Sequence, residues 1–177
     1  MVPLLATIAT SAFAQDATEP ALKSALIFNF AKFTSWPQEV LPGNSEFVAC
    51  VVGSQAVGQA LQRAVKDRQL AGHPITVSHR DLRDPQQTFR TCHLLYVTGT
   101  DPKELTRLVT DLRGAPVLTI IDVEDPSLSI GIADLFVENG RMRFQVDNGL
   151  AKQGRLELSS RLLSLASGVR DNPRATR

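Results

Sequence analysis

The chain has 177 residues, the size of one ordinary domain, and its 43% hydrophobic and 21% charged content excludes a disordered or fibrous polymer. Nineteen basic side chains against eighteen acidic ones leave a formal charge of +1, with no long run of either sign. Nucleic-acid binding needs a basic stripe to displace counterions, so that class is disfavoured from the start.

Residues 1–15 carry no charge, are dominated by Leu, Ile, Ala and Thr, and end in Ala12-Phe13-Ala14, the small-x-small pattern a signal peptidase accepts. Residues 1–14 therefore read as a signal peptide cleaved between Ala14 and Gln15, although Met1-Val2-Pro3 lacks the usual basic start. About ten apolar residues are too few to span a bilayer. This predicts export to the periplasm; the alternative is an apolar N-terminus on a cytosolic protein. Residues 15–168 then form one domain, and 169–177 a polar, frayed tail.

The spacing of Leu22, Leu26, Phe30 and Phe33 predicts a helix over 19–35 with that stripe buried, Pro20 in its first turn and Trp36-Pro37 as its stop. FVACVV (47–52) reads as a buried strand, and Ser54 as the cap of a helix through about Arg68 carrying Val57, Leu61 and Val65. After the turn Gly72-His73-Pro74, ITVSH is a second strand, and CHLLYVTG a third. Asp101-Pro102-Lys103-Glu104 opens a further helix that ends at Gly114, before a fourth strand, VLTIID. Asn139-Gly140 between residues 132–137 and 142–146 is a strong hairpin signal. Asn148 then caps a short helical turn to Gly154, LEL is a short strand, and Ser159 caps a closing helix. The alternation predicts an α/β domain: a three-layer, doubly wound, mostly parallel sheet with helices on both faces and a C-terminal antiparallel hairpin.

Catalytic chemistry is hard to find. Gly53-Ser54-Gln55-Ala56-Val57-Gly58 sits where a dinucleotide fingerprint would, but Gln55 replaces the glycine that admits a pyrophosphate, so a structural turn is expected. Asp122, Glu124 and Asp125 read as a solvated turn rather than a cation loop. Ser159 and Ser160 lack a nucleophile elbow, and His93 reads as a hydrogen-bonded structural histidine. The expectation is no catalytic residue, no metal, no cofactor, and hence no enzyme. Phe30 and Phe33 are expected in the core, whereas Phe28 and Trp36 lie off the apolar stripe and are candidates for a partner-binding surface.

Six stretches together resemble the YfiR-like family of periplasmic regulators: ALKSALIFNFAKFTSWP (21–37), FVACVVG (47–53), TCHLLYV (91–97), VLTIID (117–122), GRMRFQVD (140–147) and GRLELSSRLLSLA (154–166). The resemblance implies a soluble repressor, often dimeric, that docks on the periplasmic part of an inner-membrane diguanylate cyclase or another membrane sensor. It further implies control by an outer-membrane lipoprotein, and an output in cyclic di-GMP and biofilm formation. The chain departs from the family's usual pattern at Asp147, at Ser129-Ile130-Gly131, and in having one cysteine pair. The rival readings are a periplasmic small-ligand sensor or carrier, using the crevice of a doubly wound sheet, and an envelope hydrolase.

In an oxidising compartment Cys50 and Cys92 are expected to pair, because right-handed crossovers make the first and third strands neighbours. The alternative is two buried thiols on opposite faces.

Overall fold

The LLYV and FVACVV runs show no polar alternation, so the strands they form must be covered on both faces, which favours a parallel sheet between helical layers. The computed structural model describes residues 18–171; the expected signal peptide and its Ala14–Gln15 cleavage point lie outside them. The chain begins with helix α1 (Glu19–Lys32), strands β1 (Thr34–Ser35) and β2 (Phe47–Val52), helix α2 (Gln55–Val65), and strands β3 (Gln69–Leu70) and β4 (His73–His79). It continues through β5 (Leu94–Val97), α3 (Pro102–Asp111), β6 (Leu118–Asp122), β7 (Ala133–Glu138) and β8 (Arg141–Asp147). It closes with α4 (Asn148–Gln153), β9 (Glu157–Leu158), α5 (Ser160–Leu165) and β10 (Gly168–Arg170).

Eight strands form one sheet in the order β10-β8-β7-β6-β5-β2-β4-β3, and β1 and β9 form a separate two-stranded ribbon. Only the β3–β4 and β7–β8 pairs in the large sheet are antiparallel. One face is covered by α1 and α2, through Ile27, Phe30, Val57 and Leu61; the other by α3, through Leu105, Leu108 and Leu112. The expected three-layer α/β fold with a terminal hairpin is what the chain adopts. Asn139 and Gly140 turn that hairpin with φ of 51° and 70°, the left-handed pair a two-residue loop requires.

The first helix departs from its expected register. It stops at Lys32, and its buried side is Ser24, Ile27, Phe30 and Ala31, while Leu22 is 42% exposed. At ~100° per residue the buried face is turned by about a third of a revolution from the predicted stripe. The segment is apolar nearly all round, so periodicity does not choose a face. The Ser24 hydroxyl is satisfied within the helix, donating to Ala21 O at 2.8 Å, which allows a polar residue on the core side. The helix ends early because Thr34 and Ser35 pair with Leu158 and Glu157.

Two corrections concern the C-terminal third. Asp147, not Asn148, caps α4, accepting from Leu150 N at 2.9 Å. Residues 168–170 do not fray but pair in parallel with Gln145–Asp147. Arg170 accounts for this: its guanidinium lies 3.3 Å from the Asp147 carboxylate and 4.0 Å from Asp134, both fully buried, and also meets the Ser129 hydroxyl. Burial pushes the Asp134 carboxyl above its usual range, against the N–H groups of Gly131 and Ile130 and the Ser129 hydroxyl that donate to it. Ser129 and Asp147 thus meet at one cation.

β5 starts one residue late for β2. The Val48 N–H, which points toward β5, finds no strand carbonyl and donates instead to His93 Nδ1 at 2.9 Å. That fixes the neutral tautomer, whose Nε2–H donates to Val40 O at 3.3 Å. The adjacent Cys92 is joined to Cys50, with Cα atoms 5.8 Å apart. The neighbouring β2 and β5 make the bond reachable, as the order of crossovers predicts.

Two predictions follow from this corner. Closing a loop of 42 residues removes about 4 kcal/mol of unfolded-chain entropy, so Cys50→Ala/Cys92→Ala should lose roughly that much in urea unfolding, with native strain reducing it. Burial holds the His93 imidazole below its ordinary value, so its stabilising acceptor is present above that value and is lost as pH falls through it. His93→Asn, which keeps an acceptor and cannot titrate, should flatten the fall in melting temperature below about pH 6.5. His93→Leu should cost about 1–3 kcal/mol above about pH 6.5, by leaving Val48 N–H unpaired, and less as the wild-type acceptor is itself lost at lower pH. An unchanged pH slope in His93→Asn contradicts the assignment.

Candidate functional site

The two aromatic residues singled out by sequence, Phe28 and Trp36, are brought into one groove of roughly 820 Å³ at the amino-terminal edge of the sheet. Helix α1 supplies Phe28 and Lys32, the segment after it Trp36 and Leu41, and the β3–β4 turn Arg68, Leu70 and His73. Open α/β sheets usually bind ligands at the opposite, carboxyl edge.

Trp36 forms the floor and is held from three sides. Its indole Nε1–H is shared between His93 O at 3.2 Å and Pro116 O at 3.1 Å, the carbonyls preceding β5 and β6. Its ring meets Phe47 edge-on with centroids 5.0 Å apart, and Phe47 in turn stacks on His93 at 5.3 Å. The polar atom of Trp36 therefore belongs to the fold, while its half-buried ring also lines the groove. Phe28 is half-buried on the wall with the Arg68 guanidinium 5.4 Å from its ring centroid. Phe33, expected in the core, is half-buried under Arg161, whereas Phe30 is 2% exposed.

The lining contains no Asp or Glu; its charges are Lys32 and Arg68. Such a surface, apolar with aromatic anchors and a cationic rim, suits a protein segment carrying an apolar side chain and a carboxylate. Sequence reasoning missed Leu41, Arg68, Leu70 and His73. The one signal for them was Gly72-His73-Pro74, legible as a turn but not as the wall of a groove. In the structure His73 Nδ1 lies 2.9 Å from Ser45 O, and Ala71 and Gly72 take φ of 50° and 90° to turn β3 into β4.

The remaining sequence candidates resolve into structure. Gly53, at φ 93°, lies so close to Thr98 that a Cβ would stand 1.9 Å from its carbonyl oxygen, and Gly58 makes room for the His79 ring. These contacts, rather than a phosphate, require both glycines. Asp122 separates from its acidic neighbours: Glu124 and Asp125 are exposed, but Asp122 accepts from the Tyr96 hydroxyl at 2.6 Å and pairs with Lys23 at 2.6 Å. Burial pulls the Lys23 ammonium down, yet Asp122 and Glu19 hold it above its usual value; burial, aided by Asp122, pushes the Tyr96 phenol far up. A phenol kept protonated and a carboxylate already paired leave no free base there. Among the described residues no group of His, Cys, Asp and Glu could hold a metal ion, and no helix is long and apolar enough to cross a membrane.

No curated protein matches this sequence. A family model described as YfiR/HmsC-like matches residues 20–167, and the chain belongs to that family.

Proposed function

We propose that this member of the YfiR/HmsC-like family is a periplasmic, non-enzymatic regulator that binds the periplasmic part of an inner-membrane diguanylate cyclase and holds it inactive. Its output is a lower level of cyclic di-GMP and less biofilm; release follows sequestration by an outer-membrane lipoprotein. The observation that carries a protein-binding role is the groove itself, where Phe28, Trp36 and Leu41 stand beside Arg68 and Lys32 with no acid among them. Aromatic anchors flanked by cations are the composition of interface hot spots rather than of catalytic clefts.

A second reading, a small-ligand sensor, is favoured by one feature. A polar cavity of roughly 600 Å³ lies at the carboxyl ends of β2, β4 and β5, lined by His79, Arg80, Arg83, Thr100 and Glu104. The buried Arg80 Nε has no hydrogen-bond partner there. Native mass spectrometry of protein taken from cells should show the bare chain mass on the regulator reading and a retained small molecule on the sensor reading.

Deleting the gene is expected to raise cyclic di-GMP and surface attachment, and complementation with the wild-type chain to reverse both. Phe28→Ala and Arg68→Glu should fail to complement while remaining folded, Arg68→Glu melting within a few degrees of wild type because Arg68 is exposed, and Phe28→Ala somewhat lower because Phe28 is half-buried. Trp36→Phe is expected to be less stable by about 1 kcal/mol through loss of its shared N–H, so it reports on the fold as well as the surface. Unchanged cyclic di-GMP in the deletion strain, with the candidate cyclase expressed, overturns the proposal.

A further inference from the structure

The free edge of the large sheet has an orientation that can be read from its register. In a parallel ladder a residue's N–H and C=O point to the same side, and successive residues alternate. Arg80 N donates to Val51 O at 2.9 Å, so the even-numbered residues of β4 face β2. The odd-numbered residues Ile75, Val77 and His79 then present their backbone groups away from β2. Strand β3 covers that side only as far as Pro74, pairing Leu70 with His73 and Gln69 with Pro74. Beyond it no hydrogen bond from the amides of Ile75, Val77 or His79 occurs among the described residues.

Exposed edges invite strand addition, and folded proteins usually blunt them with charge on the strand, proline or a covering element. Here the one proline, Pro74, sits at the start of the strand, and Ile75 through His79 carry no acid, Lys or Arg. Next to this edge lies a groove of roughly 930 Å³, walled by α2 and floored by the half-buried Ile75 and Val77. Its rim carries Arg63, Lys66 and Arg68, all exposed and in no ion pair among the described residues, against the single acid Asp67.

The geometry points to β4 as a strand-addition site for an extended, acid-bearing segment of another protein. Backbone pairing to Ile75, Val77 and His79 would bind about five residues of such a segment. Alternate side chains of that segment would face α2, the apolar ones on the Ile75–Val77 floor and the carboxylates against the cations at the end of α2. A second copy of this chain fits less well, because it would bring the same three cations to the rim. The inference stands apart from the identity of any cyclase partner, since it concerns the sheet edge, whose groove shares only Arg68 and Gln69 with the Phe28–Trp36 groove.

Amide hydrogen exchange on the isotopically labelled chain tests it, with the capped heptapeptide Val-Thr-Val-Thr-Glu-Thr-Glu, whose apolar and acidic side chains share one face, as probe and its Lys-for-Glu counterpart as control. The acidic peptide should slow exchange at Ile75, Val77 and His79 by about tenfold or more, leaving Thr76 and Ser78, already paired to β2, unchanged. Val77→Pro, which removes an outward donor but none from the β2 ladder, should abolish the effect. Because that variant could unfold, Arg63→Glu/Lys66→Glu is the second test: on the exposed side of α2, it should transfer the preference to the Lys peptide. Equal slowing by both peptides, no slowing, slowing that grows with protein concentration alone, or amides already protected in the free chain would each overturn the proposal. The last two would mean that a second copy or this chain's own segments occupy the edge.

Discussion

The amino-terminal edge of the sheet depends on one shared hydrogen bond. Trp36 donates a single N–H to the carbonyls of His93 and Pro116, residues that precede two adjacent strands. Apart from the indole, Pro116 O has no hydrogen-bond partner among the described residues. The same contact pins the segment that leaves α1, whose Thr34 and Ser35 are tied to β9. Position of the first helix, start of the parallel strands and floor of the groove are therefore one constraint. The aromatic chain of Trp36 edge-on to Phe47, and Phe47 stacked on His93, packs against it.

The opposite end of the sheet is closed by different physics. Two fully buried carboxylates, Asp134 and Asp147, are admitted because each also performs a backbone task. Asp134 accepts from Gly131 and Ile130 in the turn before β7, and Asp147 caps α4. Arg170 then sets one guanidinium against both from the last strand. Burying a charge this way is tolerated only when every lone pair is used, so the C-terminal strand completes a polar network rather than adding apolar area. The short Gly168–Arg170 pairing is held by that network as well as by its own hydrogen bonds.

Much of this was legible in the sequence. Element order, helix caps at Ser54, Asp101 and Ser159, the Asn139–Gly140 hairpin and the cysteine pairing rest on local chemistry or on crossover handedness, and those rules act before packing does. The buried face of α1 was not legible, because a helix apolar on every side offers no phase for a period to find. Arg170 looked like part of a polar tail, since its partners are 23 and 36 residues away and only the fold brings them together. Likewise Arg68, Leu41 and His73 join Phe28 through tertiary contact alone, whereas Phe28 and Trp36 could be suspected from their place off the predicted stripe. The candidate site was thus half visible: its aromatic anchors, but not its walls or its charge.

The Cys50–Cys92 bond has a mechanical consequence. The chain between the two cysteines contains α2, β3 and β4, and with them the cationic wall of the groove and the free sheet edge. If the molecule is pulled from its two ends, tension passes from Cys50 to Cys92 through the sulfur atoms and bypasses that whole segment. The backbone of the loop then carries no covalent tension, although β4 stays laddered to β2. A protease cut within it would leave the chain in one covalent piece, with both halves still attached to the strands that flank the cut. The surfaces available for partners thus ride on a closed ring, insulated from stress applied along the backbone.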